Sequence, residues 1–141
     1  MKECTQSITI YNSYTDPTTK YKRYLPTVIT GVSWFGEVQV SIGAAGLLSA
    51  DMYTLRIPVD ADFSNKTYLT PKDFLNIPND RMSLYWTLTD GDIIVKGSVT
   101  DTGDDAKPAK LEAKYNDVIT IVSVTDNRSR PNAKHWKVVG K

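Results

Sequence analysis

The chain has 141 residues, of which 40% are hydrophobic and 23% charged, and its net charge is +1. That is the size of one domain, able to bury roughly 70% of its unfolded surface, and the composition excludes a disordered chain. Near-neutral charge argues against a dedicated nucleic-acid binder. The single cysteine, Cys4, leaves no intrachain disulfide and no cysteine-based metal site.

Period-two alternation dominates, and it is the signature of half-buried strands. Residues 7–14 (SITIYNSY) place Ile8 and Ile10 on one face. Residues 21–34 (YKRYLPTVITGVSW) supply one or two strands, and 36–42 (GEVQVSI) alternate through Val38, Val40 and Ile42. In 52–59 (MYTLRIPV), Tyr53, Leu55 and Ile57 alternate until Pro58. Residues 91–100 (GDIIVKGSVT) and 117–126 (DVITIVSVTD) are rich in β-branched residues, which suit a pleated surface, and 135–140 (HWKVVG) predict a last strand. Segments 43–51, 60–83 and 101–116 read as long irregular connections, longer than a minimal barrel needs. Two short helices interrupt the pattern. Residues 70–77 offer Thr70 as N-cap, Pro71 at the first helical position, Asp73 at the third, and Pro78 as a stop. Residues 108–115 begin with Pro108 and continue with good helix formers. The prediction is one all-β domain over 1–141: a small barrel or sandwich of about seven or eight short strands with two short helices.

No constellation of catalytic or metal-ligating residues emerges. The only histidine, His135, stands between Lys134 and Trp136, with no serine in a strained elbow of the GxSxG kind. DTGDD (101–105) lacks the spacing and terminal glutamate of a calcium loop, and GAAG (43–46) is not a phosphate loop. TDGD (89–92) reads as a tight turn. Trp34, Trp86 and Trp136 read as core residues whose indole N–H groups meet backbone carbonyls, with interface anchoring as the alternative. No enzyme activity, metal or cofactor is expected.

Charge is segregated. After Asp126 every charged side chain is basic, including Arg128, Arg130, Lys134 and Lys137, while Lys20, Lys22 and Arg23 form a second basic group. Acid gathers at Asp51, Asp60 and Asp62, and at Asp101, Asp104 and Asp105. The loop 128–134 (RSRPNAK) joins two predicted strands, and its two arginines and lysine suit phosphates or a partner's carboxylates. The candidate interface residues are therefore Arg128, Arg130, Lys134, His135, Trp136, Lys20, Lys22 and Arg23.

The order of five segments resembles a family of small proteins from tailed phages and prophages of Gram-positive bacteria. They are ITIYN (8–12), GVSW (31–34), GLLSADMYTLRIP (46–58), GDIIVKG (91–97), and VTDNR with HWKVVGK (124–141). The resemblance implies a virion structural protein, similar in size and architecture to the head-closure (stopper) subunits of the head–tail connector. It further implies a homo-oligomeric ring at the virion neck, with the adaptor and tail terminator as neighbours and packaged DNA in the channel as a further candidate contact. A tail-terminator, tail-completion or capsid decoration role carries similar marks, and a carbohydrate- or receptor-binding module is the reading from another class. The N-terminus has no apolar core of signal-peptide length, so synthesis in the host cytoplasm is expected, with no membrane association.

Overall fold

The computed structural model describes residues 6–15, 20, 22–43, 46–101, 106–129, 131–132 and 134–141, and the side chains of these except 35–51, 79 and 80. Cys4, Arg130, Asp104 and Asp105 lie outside the described residues. Eight strands and two α-helices follow in the order β1 (Gln6–Thr15), β2 (Lys22–Gly43), β3 (Gly46–Pro58), β4 (Thr67–Tyr68), α1 (Pro71–Leu75), β5 (Tyr85–Trp86), β6 (Ile93–Lys96), α2 (Pro108–Lys114), β7 (Val118–Asp126) and β8 (His135–Gly140), with a 3-10 helix at Asn79–Leu84 before β5. Six strands close into a barrel in the order β1-β2-β3-β8-β7-β6. Every neighbouring pair in it is antiparallel.

The barrel interior is the main core. Ile8 and Ile10 enter it from β1, Ile29 and Val32 from β2, Leu55 and Ile57 from β3, Ile94 from β6, Ile119 and Ile121 from β7, and Trp136 and Val138 from β8. Six strands leave room only for such side chains and no lumen. Two of the strands change phase along their length. In β2 the register against β1 jumps between Ser7↔Thr30 and Gln6↔Val32, so Gly31 is a bulge, with φ of 97°. In β7 the register against β8 shifts between Ile121 and Ser123. An extra residue flips the later side chains to the other face. Val32 therefore follows Ile29 into the core, and Val124 packs against it after Ile121, while Val122 is left 41% exposed.

A second apolar cluster covers the outside of β1 and β6. Tyr11, Ile93 and Val95 point away from the barrel axis and are buried under Ala106 and Leu111, the latter from α2. The hydroxyl of Thr9 donates to the Gly97 carbonyl and accepts from the Val99 N–H, and the Tyr11 hydroxyl donates to the Asp101 carbonyl. Asp101 holds this cover shut, accepting from Lys114 Nζ at 2.7 Å and from the Tyr115 hydroxyl. Those two donors hold its carboxyl below the usual range.

Segment 59–92 forms the other cover. Its start lies along the edge of β2 that β3 leaves unpaired: Thr30 and Asp62 exchange two backbone hydrogen bonds of 2.9 Å, and the Ser64 hydroxyl donates to the Val28 carbonyl. Lys66 Nζ donates to Pro26 O and Thr27 Oγ1, and burial lowers its pKa. The chain then makes α1, where Thr70 Oγ1 accepts from Asp73 N as the sequence predicts. β4 and β5 pair in parallel, and β5 carries Trp86 into the core.

Several expectations change. Residues 43–51 are not an irregular connection, because Gly46–Asp51 pair with β2 in register. The two predicted strands 21–34 and 36–42 are one strand of 22 residues, so not all strands are short. Residues 91–100 narrow to the four-residue β6.

Two glycines carry the closure. A Cβ at Gly140 would lie 2.7 Å from Ile119 Cδ1 and 2.8 Å from the Thr120 carbonyl oxygen. Gly140→Ala is expected to cost about 1–3 kcal/mol by overpacking, and Gly31→Ala a similar amount (about 1–3 kcal/mol) through its left-handed backbone. Urea unfolding midpoints measure both, and an unchanged midpoint would contradict the respective role.

Candidate functional site

The ladders fix which loops share an end of the barrel. β1 and β7 are each antiparallel to β6, so they run the same way. The β7–β8 tip with Arg128 and Lys134 is therefore at the same end as the β1–β2 connection with Lys20, Lys22 and Arg23. In the strand order these two hairpins lie across the barrel from one another. The structure thus brings the two basic groups to one end without joining them into one patch. Lys20 (φ 65°), Lys22 and Arg23 are exposed around a connection in which Thr15 stands opposite Lys22.

Between the hairpins sits an aromatic plug. Trp86 stacks on Phe63 at 5.1 Å and 20°, and meets Trp136 edge-on at 5.2 Å. Tyr68 touches both tryptophans, with ring centroids 5.1 Å from Trp86 and 4.7 Å from Trp136. Aromatic pairs at these separations contribute about 0.5–1.5 kcal/mol each beyond area burial. Trp86 is fully buried and Trp136 is 4% exposed, as the core reading of both expects. Contrary to expectation, the Trp86 indole N–H meets no carbonyl and is without a partner among the described residues. Trp34, near the other end, is half-buried against Tyr53, with Lys96 Nζ 5.7 Å from its ring.

Arg128 caps the plug. Its guanidinium lies 5.0 Å from Tyr68 and 5.1 Å from Trp136 by ring centroid. It also donates from Nε and Nη2 to the Asp126 carboxylate at 2.6–3.0 Å, and Asp126 Oδ1 accepts from the Arg128 N–H. Those bonds hold the Asp126 carboxyl below its ordinary range. Arg128 therefore folds back over its own hairpin instead of projecting from the tip. His135 is buried at the start of β8, its Nε2 3.3 Å from Asn127 Nδ2, and its carbonyl accepts from the Asn127 N–H. Lys134 is exposed, and its carbonyl accepts from the Val59 N–H.

A buried carboxylate that sequence reading missed anchors the plug to β1. Asp92 is 2% exposed. It accepts from Asn12 Nδ2 at 3.1 Å and from the Ser13 hydroxyl at 2.9 Å, while Asn12 also donates to Thr87 O and accepts from Thr87 N. Burial pushes the Asp92 carboxyl above its ordinary pKa, and the bonds from Asn12 and Ser13 and the charge of Lys22 oppose that shift. The TDGD turn was legible, and Gly91 has the φ of 93° such a turn demands. The partner was not, since Asn12 lies 80 residues away. Among the described residues no three His, Cys, Asp or Glu side chains group as metal ligands. Among the same residues no helix is long and apolar enough to cross a membrane.

The sign of the Asp92 effect follows from linkage. The native state holds this proton more tightly than the unfolded chain, whose value is about 3.9. Its contribution is thus fully present below about pH 4 and is lost as pH rises through the raised native value. The stability of the wild type relative to Asp92→Asn should fall as pH rises through that window. Urea titrations across a pH series measure it, and a difference independent of pH would contradict the assignment.

No curated protein and no solved structure matches the chain. Residues 3–141 match a family model described as a family of unknown function, DUF6751. The chain belongs to that family.

Proposed function

We propose that this protein is a non-enzymatic structural subunit of a tailed-phage virion, a ring component of the head–tail connector in the role of head closure. The observation that carries the reading is the asymmetry of the barrel. One end is plugged and framed by two basic hairpins; the other extends as a two-stranded ribbon, Glu37–Gly43 with Gly46–Met52, beyond the barrel wall. Ring subunits need two unlike surfaces, because heterologous contacts join different faces of successive copies. The resemblance of segments 8–12, 31–34, 46–58, 91–97 and 124–141 to phage and prophage proteins supports the same reading. His135 is packed into the wall of the barrel and bonded to Asn127, which suits a structural role. Two of the three tryptophans lie in the core, so they offer no sugar platform.

Imaging of labelled protein in intact virions tests the location. Density confined to the neck is the expected result, and even distribution over the capsid would replace the connector with a decoration role.

The basic tip is proposed to contact a neighbouring subunit or DNA. The Arg128–Asp126 pair is solvent-exposed, at 42% and 46%, so it contributes about 0–1 kcal/mol, with a further ~0.5–1 kcal/mol from the aromatic rings. Because Arg128 is engaged in that packing, the contact role falls to the other cations of the tip, and substituting Arg130 and Lys134 together by Ser should leave the isolated subunit folded and weaken particle assembly or DNA retention. Normal particles from the double variant would refute the contact role.

A further inference from the structure

Among the described residues the ribbon formed by β2 and β3 pairs with no other strand of its own subunit. β8 pairs with β3 only from Tyr53 to Pro58. Beyond that wall, the pairs from Glu37↔Met52 to Gly43↔Gly46 continue for roughly 20 Å at strand spacing. Among the described residues neither strand of the ribbon has a second neighbour, and no backbone hydrogen bond ties it to a loop. A two-stranded ribbon alone in water is marginal, and a third strand or a covering face is what stabilises it.

Exposed strand edges are normally blunted by proline, lysine or a bulge. Residues 35–53 contain no proline, lysine or arginine, and the register runs without a shift. The ribbon is therefore built to be paired. Its only charges are Glu37 and Asp51, while the opposite end of the barrel carries Lys20, Lys22, Arg23 and Lys134 together with the exposed acids Asp60, Asp90 and Asp126.

That opposite end also offers an open strand edge. β6 pairs with β7 only through Thr120, and the Ile121 backbone is taken by Gly91 and Asp92. From Val122 to Asp126 the side of β7 away from β8 has no backbone partner among the described residues, and Val122 is 41% exposed there. We propose that the β2–β3 ribbon is an assembly arm that adds to the β7 edge of a second copy of this chain, open strand edge to open strand edge. The contact is head-to-tail, so it closes into a ring when the rotation between copies closes. This deepens the ring reading above and rests on it only for the closed product.

The test is the mass of the isolated full-length chain by light scattering over a concentration series, compared with two variants. In one, residues 38–51 are replaced by Asn-Gly, which joins Glu37 to Met52 through a two-residue hairpin turn. In the other, Val122→Lys places a charge on the proposed receiving edge and leaves the arm intact. The wild type is expected to rise to a multiple of the monomer mass, and both variants to stay at the monomer mass with their near-ultraviolet circular dichroism retained. A wild type that remains monomeric throughout, a folded shortened variant with wild-type mass, or wild-type association in Val122→Lys would each overturn the proposal. If the shortened variant loses its near-ultraviolet spectrum, the Val122→Lys mass decides. Failure here leaves the neck location untouched, since that is read from particles.

Discussion

At Gly31 the backbone of β2 enters the left-handed region, and that conformation decides which strands meet. Before it, Lys22–Thr30 pair with β1; after it, Ser33 onward pair with β3. One strand thereby serves two walls of the barrel, as a bulge at a barrel corner allows. Two consequences follow. The edge of β2 before the corner is left bare on the β3 side, and Asp62, Ser64 and Lys66 occupy it. The strand after the corner runs on past the wall and takes β3 with it. The covering segment and the projecting ribbon are therefore products of the same change of partner.

Covering a bare edge with a loop satisfies backbone groups that would otherwise cost about 1–3 kcal/mol each if buried unpaired. It also carries the loop over the barrel mouth, where Phe63, Tyr68 and Trp86 fill the space above Trp136. Asp92 then ties the end of the plug to Asn12 and Ser13. Its charged form is disfavoured by burial, yet removing it would strand the donors of Asn12 and Ser13, so the carboxylate is kept by its partners. On the far side, the continuous run Ile93, Ile94, Val95 is explained by burial on both faces, the barrel inside and α2 outside.

The fold class, both helices and the terminal hairpin were legible because each rests on local chemistry: alternation, Thr70 with Pro71, Pro108, and the apolar residues of β7 and β8. What escaped depends on contacts distant in sequence. The phase changes at Gly31 and Val122 make strict alternation misplace the residues that follow, and GVSW gives no local sign that its strand continues unbroken into GEVQV. Residues 60–83 read as a loop because Phe63 and Tyr68 acquire their role only against Trp86 and Trp136. Asp92 was assigned to a turn correctly and to a network not at all. Arg128 was legible as a basic residue of a hairpin tip, but its position over Tyr68 and Trp136 needed the plug that the sequence hid.

The fate of Arg128 separates two kinds of charge on this molecule. A guanidinium held by Asp126 and two rings is part of the subunit's own surface packing. Lys20, Lys22 and Lys134 are exposed, Lys22 standing opposite Thr15 and the Lys134 carbonyl accepting from the Val59 N–H. Such charges act over about 8–10 Å at physiological salt, enough to orient an approaching acidic surface and too weak to hold it. In the proposed assembly, adhesion would come from backbone pairing and apolar contact, for which the ribbon, Val122, and the exposed Leu75 and Leu84 are the available material among the described residues. Orientation and adhesion thus belong to different residues of this surface.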